Sequence, residues 1–186
     1  MTATPSTMLE LGTRVPPVSL PDLDGQLVSS DALTGRPLLV AFLCPHCPFV
    51  RHVRQEFGRF AREYQRRGLA IVGINSNDEQ AFPEDDVEGM RLEAQAAGYD
   101  FPYLRDETQD VAKAYKAACT PDLFLFDRTG ALVYRGQFDD SRPGNGTPVT
   151  GRDVRQAIDA VLADRPVSPD QRPSVGCGIK WRAEGR

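Results

Sequence analysis

Residues 38–53 read LLVAFLCPHCPFVRHV. Leu38 to Leu43 form an unbroken apolar run that fits a buried strand. After Pro48 the apolar residues fall at Phe49, Val50, Val53, Phe57, Phe60, Ala61 and Tyr64, the spacing of a helix with one buried face. Cys44-Pro45-His46-Cys47 lies at the junction. A C-x-x-C between strand and helix is the arrangement a redox dithiol needs. On this reading Cys44 sits at the helix N-terminus, where unpaired N–H groups and the helix dipole favour a thiolate. Cys47 lies one turn in, within disulfide reach. Cys44 is therefore expected to attack and Cys47 to resolve. Pro45 stiffens the turn, and a cationic His46 would lower the Cys44 pKa.

Composition narrows the function. The 186 residues suffice for one domain with a real core. Lys plus Arg is 22 against 26 Asp plus Glu, a net charge of −4, so the basic footprint of a nucleic-acid binder is missing. No apolar run approaches a membrane span, and no membrane partner is expected. Met1 to Leu11 lacks a basic leader region, and Glu10 breaks its apolar cluster, so the expected compartment is the cytoplasm. Four cysteines in a reducing compartment point to catalysis or metal binding rather than to staples.

Outward from the central stretch, strands and helices alternate. Met1 to Thr7 reads as a frayed terminus, Val15 to Leu20 as an extended edge, and Asp24-Gly25 as a hairpin turn. Leu69 to Ile74 is a second buried strand. Pro83 can open a helix that Gly98 ends, Thr108 can cap another, and Asp153 a last one. Leu123 to Phe126 and Leu132 to Phe138 make a hairpin. The order implies an α/β sandwich, a mixed central sheet flanked by helices. A domain over 11–164 is expected, with an N-terminal β extension. A proline-rich tail over 165–186 would pack on or near the domain.

The remaining residues carry competing readings. Zinc normally draws four N/S ligands, and only Cys119, Cys177, His46 and His52 could complete a set with the C-x-x-C. None forms a second pair, so neither metal nor cofactor is expected. His52 reads as a solvated or partly packed helix residue. Cys119 is a packed thiol or a third redox group. Cys177 lies between Gly176 and Gly178, where glycines permit close backbone approach, and Trp181 could anchor the tail near the site. Arg135, Asp139, Asp140 and Arg142 flank a long loop that is either solvated or a lid.

The phrases CPHCPFVRHV, GINSND, FPEDD, FPYLRDETQDVAKAYKAACTPDLFLFD, LVYRGQFDDSRPGN and SVGCGIKW resemble peroxiredoxin-like proteins of the thioredoxin superfamily, the redoxin or AhpC/TSA branch, that carry a C-x-x-C. The resemblance runs from about Leu11 to Trp181. It implies a thioredoxin-like fold, a cis Pro121 beside the dithiol, and Thr120-Pro121 as a substrate platform for an extended peptide. It implies thiol–disulfide exchange with protein or low-molecular-weight disulfides and thiols, sustained by a cellular thiol reductant. Peroxiredoxins carry P-x-x-x-T-x-x-C ahead of the peroxidatic cysteine. With Cys47 at that cysteine, Val40 replaces the Pro and Cys44 the Thr. That departure favours a dithiol over an antioxidant peroxidase acting through Cys47. A redox sensor or a copper or zinc binder using the same cysteines is the further alternative.

Overall fold

A computed structural model describes residues 3–33 and 35–183. Along the chain run β1 (Ala3–Pro5), β2 (Ser19–Pro21), β3 (Leu27–Ser29), β4 (Leu38–Phe42), α1 (Pro48–Arg66) and β5 (Ala70–Asn75). There follow α2 (Val87–Ala97), β6 (Tyr103–Arg105), α3 (Asp110–Ala114), β7 (Cys119–Thr120) and β8 (Asp122–Phe126). Last come β9 (Leu132–Gly136), α4 (Arg152–Leu162) and β10 (Val175–Gly178).

The apolar run after Pro37 becomes the central strand because both its faces are covered. Leu39, Ala41 and Leu43 join one apolar cluster with Val53, Phe57 and Phe60 of α1 and Val154 and Ile158 of α4. Leu38, Val40 and Phe42 join the other, with Val18, Leu20, Val111, Ala112 and Tyr115. The strand order is β6-β5-β4-β8-β9. β4 pairs parallel with β5 and antiparallel with β8, so the sheet is mixed and the architecture is thioredoxin-like. α1 and α2 approach closely at Gly58, where a Cβ would overlap the Ala97 carbonyl oxygen. Among the described residues no helix is long and apolar enough to cross a membrane.

Three helix starts differ from expectation. Pro83 opens only a one-turn helix, Pro83–Asp85, and Asp86 caps α2 by accepting from Gly89 N–H at 2.7 Å. Gln109, not Thr108, caps α3, and Gly151, not Asp153, precedes α4; both take left-handed backbone angles. The long loop is held from inside. Asp139 is buried; burial pushes its carboxyl up, but the Ser141 hydroxyl and the backbone N–H groups of Gly151, Thr150 and Ser141 donate to it and hold it below the usual range.

The largest correction concerns both ends of the chain. The N-terminal segment is a strand rather than a frayed end, though Met1 and Thr2 of that expectation lie outside the described residues. β10 runs antiparallel between β1 and β7, in the order β1-β10-β7. Ile179, not the exposed Trp181, is the buried anchor of the tail. Further bonds stitch the tail down: Ser174 Oγ donates to Gly136 O, Ile179 N to Ala118 O and Lys180 N to Asn77 Oδ1.

Candidate functional site

Three elements meet at the C-x-x-C: the end of β4, the start of α1 and the β7–β8 corner. The Thr120–Pro121 bond is cis, as the resemblance implied. Proline at the first helical position starts α1 at Pro48, so Cys47 is the N-cap and Cys44 precedes the helix by three residues. This corrects the expectation that Cys44 holds the helix N-terminus.

All four cysteines are buried thiols. Cys44 Sγ lies 3.1 Å from Thr120 Oγ1, and Cys47 Sγ lies 3.1 Å from Thr120 O. Cys44, Cys47 and Cys177 belong to one buried cluster, and Cys177 pairs across the strands with Thr120. The neighbouring Cys44 thiol pulls the Cys47 thiol down to about 5. Burial opposes that pull, while Cys177, the Thr120 side chain and the Val50 N–H support it. Burial pushes Cys44 well up, with Cys47 and the Asp85 carboxylate adding to the push. Of the two thiols, Cys47 is the one held lower.

His46 lies beside Cys44, as the sequence reading placed it, and gains a second partner. Its Nδ1 lies 2.5 Å from Asp85 Oδ2 but 3.9 Å from Cys44 Sγ. Its backbone N–H also donates to Asp85, and its ring stacks on Phe82. Asp85 itself is buried and accepts from Asn77 Nδ2 at 2.8 Å. The imidazole thus serves the carboxylate first and the thiol second. Cys44, His46 and Asp85 offer three donor atoms within 4.8 Å of one another, a mixed sulfur, nitrogen and oxygen set. Pro45 keeps the turn, its carbonyl accepting from Arg51 Nε at 2.7 Å.

The remaining candidates separate. Cys119 donates to Pro121 O at 3.7 Å, and burial raises its pKa. His52 lines a small cavity beside Pro121 with Phe138 and Val175, and its Nε2 is buried without a hydrogen bond among the described residues. Thr120 is not open to an incoming peptide, because β10 pairs with it, Cys177 opposite Thr120 and Gly178 opposite Cys119. A groove of about 570 Å³ lies between α4 and the tail, and no cysteine lines it.

Sequence reasoning missed Asp85 and Glu93. Glu93 is buried on α2, with Tyr103 Oη 3.4 Å from its carboxylate. Burial lifts its pKa to about 7. A signal existed: Glu93 interrupts the apolar face formed by Met90, Ala94 and Ala97 at helical spacing. Asp85 had none, because its burial depends on a one-turn helix that the sequence does not announce.

The model of the AhpC/TSA family matches residues 11–135. A thiol-disulfide oxidoreductase ResA from Halalkalibacterium halodurans is 25% identical over 61% of this chain, and the match spans 61% of the relative's own length. A crystal structure of an uncharacterized conserved protein from Geobacillus kaustophilus is 51% identical, with a TM-score of 0.96 over 100% of this chain and 99% of that one. A crystal structure of a hypothetical protein from Sinorhizobium meliloti 1021 is 54% identical, with a TM-score of 0.94 over 97% of this chain and 99% of that one.

Proposed function

The chain belongs to the AhpC/TSA family of the thioredoxin superfamily, and from that premise we propose that it is a thiol–disulfide oxidoreductase whose redox centre is Cys44 and Cys47. The observation that carries the reading is the convergence of both sulfurs on Thr120, each at 3.1 Å, with Cys47 at the α1 N-cap and cis-Pro121 beside them.

The roles follow the charge and reverse those expected from motif order. The Cys47 thiolate attacks one sulfur of a substrate disulfide. The substrate S–S bond breaks, its other sulfur leaves as a thiolate, and Cys47 is left in a mixed disulfide. Cys44 then loses its proton and attacks Cys47. The bound substrate sulfur departs, takes up a proton, and a Cys44–Cys47 disulfide remains. An outside thiol reductant restores the dithiol. The thiolate is the species that reacts, so the depressed thiol is the better attacker.

β10 narrows the substrate class. An extended peptide cannot add a strand along Thr120 while β10 holds that edge. The reading therefore favours low-molecular-weight disulfides, or a single protruding cysteine of a protein, over strand-adding peptides.

Replacing Cys44 tests the assignment. In a Cys177→Ala background, Cys44→Ser is expected to accumulate a mixed disulfide on Cys47 with glutathione disulfide as substrate, read by intact mass. Cys47→Ser in the same background is expected to accumulate none. An adduct on Cys44 in the latter variant alone would restore the opposite roles.

A second reading, hydroperoxide reduction at Cys47, is favoured by one observation. The N-cap thiol is the residue that aligns with the peroxidatic cysteine of P-x-x-x-T-x-x-C. Peroxide consumed catalytically in step with added thiol would support it; consumption stopping at one equivalent would not.

A further inference from the structure

We infer that Cys177 is a third redox-active thiol, a second resolving residue that competes with Cys44 for the Cys47 sulfur; the inference rests on the oxidoreductase reading.

The tail is built to deliver this thiol. Cys177 is buried, 2% exposed, in the middle strand of the β1-β10-β7 sheet. Its register opposite Thr120 places it beside the residue whose carbonyl lies 3.1 Å from Cys47 Sγ. Its side chain belongs to the same buried cluster as Cys44 and Cys47. Gly176 makes the approach feasible, since a Cβ there would overlap the Thr120 carbonyl oxygen. The strand is pinned on both sides, Ala3 facing Cys177 across β1 and Lys180 N donating to Asn77 Oδ1. Cys47 thus shares its buried cluster with one thiol from its own loop and one from the tail.

That arrangement permits an exchange that needs no added oxidant. Starting from the Cys44–Cys47 disulfide, Cys177 gives up its proton and attacks Cys47. A Cys47–Cys177 bond forms, the Cys44–Cys47 bond breaks, and Cys44 leaves as a thiolate that takes up the proton. One disulfide is replaced by another and the oxidation state is unchanged. The same attack resolves a mixed disulfide on Cys47 when Cys44 is absent. A disulfide requires Cα atoms within about 7 Å, so a mapped Cys47–Cys177 link is a strict test of their proximity.

The test compares Cys44→Ser with Cys44→Ser/Cys177→Ala in the full chain, each charged with glutathione disulfide. Persistence of the adduct is followed by intact mass, and links are mapped by digestion without reduction. With Cys177 present, the adduct is expected to be lost, with release of glutathione thiol and appearance of Cys47–Cys177 linked peptides within a monomer. Without Cys177 it should persist. Equal persistence in both variants, with Cys177 open to alkylation after unfolding, would overturn the inference and leave the oxidoreductase reading intact. Absence of any Cys47 adduct in the double variant would overturn both. Cys177→Ser, which keeps the size and polarity of the side chain, replaces Cys177→Ala should the latter fail to fold.

Discussion

At the scale of residues, the site is decided by who holds whose proton. Asp85 takes Nδ1 of His46, and its carboxylate then opposes ionisation of Cys44. Asp85→Asn should therefore lower the Cys44 pKa. The shift is measurable by ultraviolet thiolate absorbance in a Cys47→Ser background, and an unchanged titration would remove Asp85 from the account. Glu93 supplies a pH-dependent stability. Burial raises its folded pKa from 4.5 to about 7. The folded state thus binds a proton that the unfolded state releases between those values. The contribution is fully present below about pH 4.5 and is lost as pH rises through 7. Glu93→Gln should stabilise the protein at pH 8 relative to pH 5 by up to about 3 kcal/mol in urea unfolding. An equal effect at both pH values would contradict the assignment. The sequence brings the two cysteines and His46 to one strand–helix junction, but it does not show their partners. Motif order cannot say which thiol becomes the N-cap, and the carboxylate that claims His46 lies 39 residues away.

Elements were legible where periodicity was strong and illegible where partners were distant. β4, β5 and α1 follow from unbroken or helical apolar patterns, because each buries its own apolar residues. β1 and β10 do not, since a three- or four-residue strand exists only through its pairing. Helix starts failed at Gln109 and Gly151 because left-handed backbone, not a side-chain cap, turns the chain there. Two glycines fix how elements meet. Gly58→Ala would force α1 away from the Ala97 carbonyl and should cost roughly 1–3 kcal/mol of stability in denaturant unfolding. Gly176→Ala would push β10 off Thr120. Amide hydrogen exchange of Val175 to Gly178 should then accelerate, and Cys47 should alkylate faster. Unaltered exchange there would show that the strand tolerates the methyl group.

Across the whole molecule, the mixed sheet places the Cys loop and the Thr120–Pro121 corner side by side, since β4 and β8 are antiparallel neighbours. Phe42, the last residue of β4, pairs with Asp122, the first of β8, so the dithiol and the cis bond share one end of the sheet. The terminal segments then close that end, turning the tail from an appendage into part of the site. The central claim, a redox dithiol of Cys44 and Cys47, is tested most directly by a redox titration of the Cys177→Ala protein in glutathione buffers. Peptide mapping identifies the bond at each potential. The account predicts one two-electron transition, with a Cys44–Cys47 disulfide at the oxidised end and a midpoint between about −270 and −120 mV. Cys44 and Cys47 remaining thiols throughout that range would contradict it.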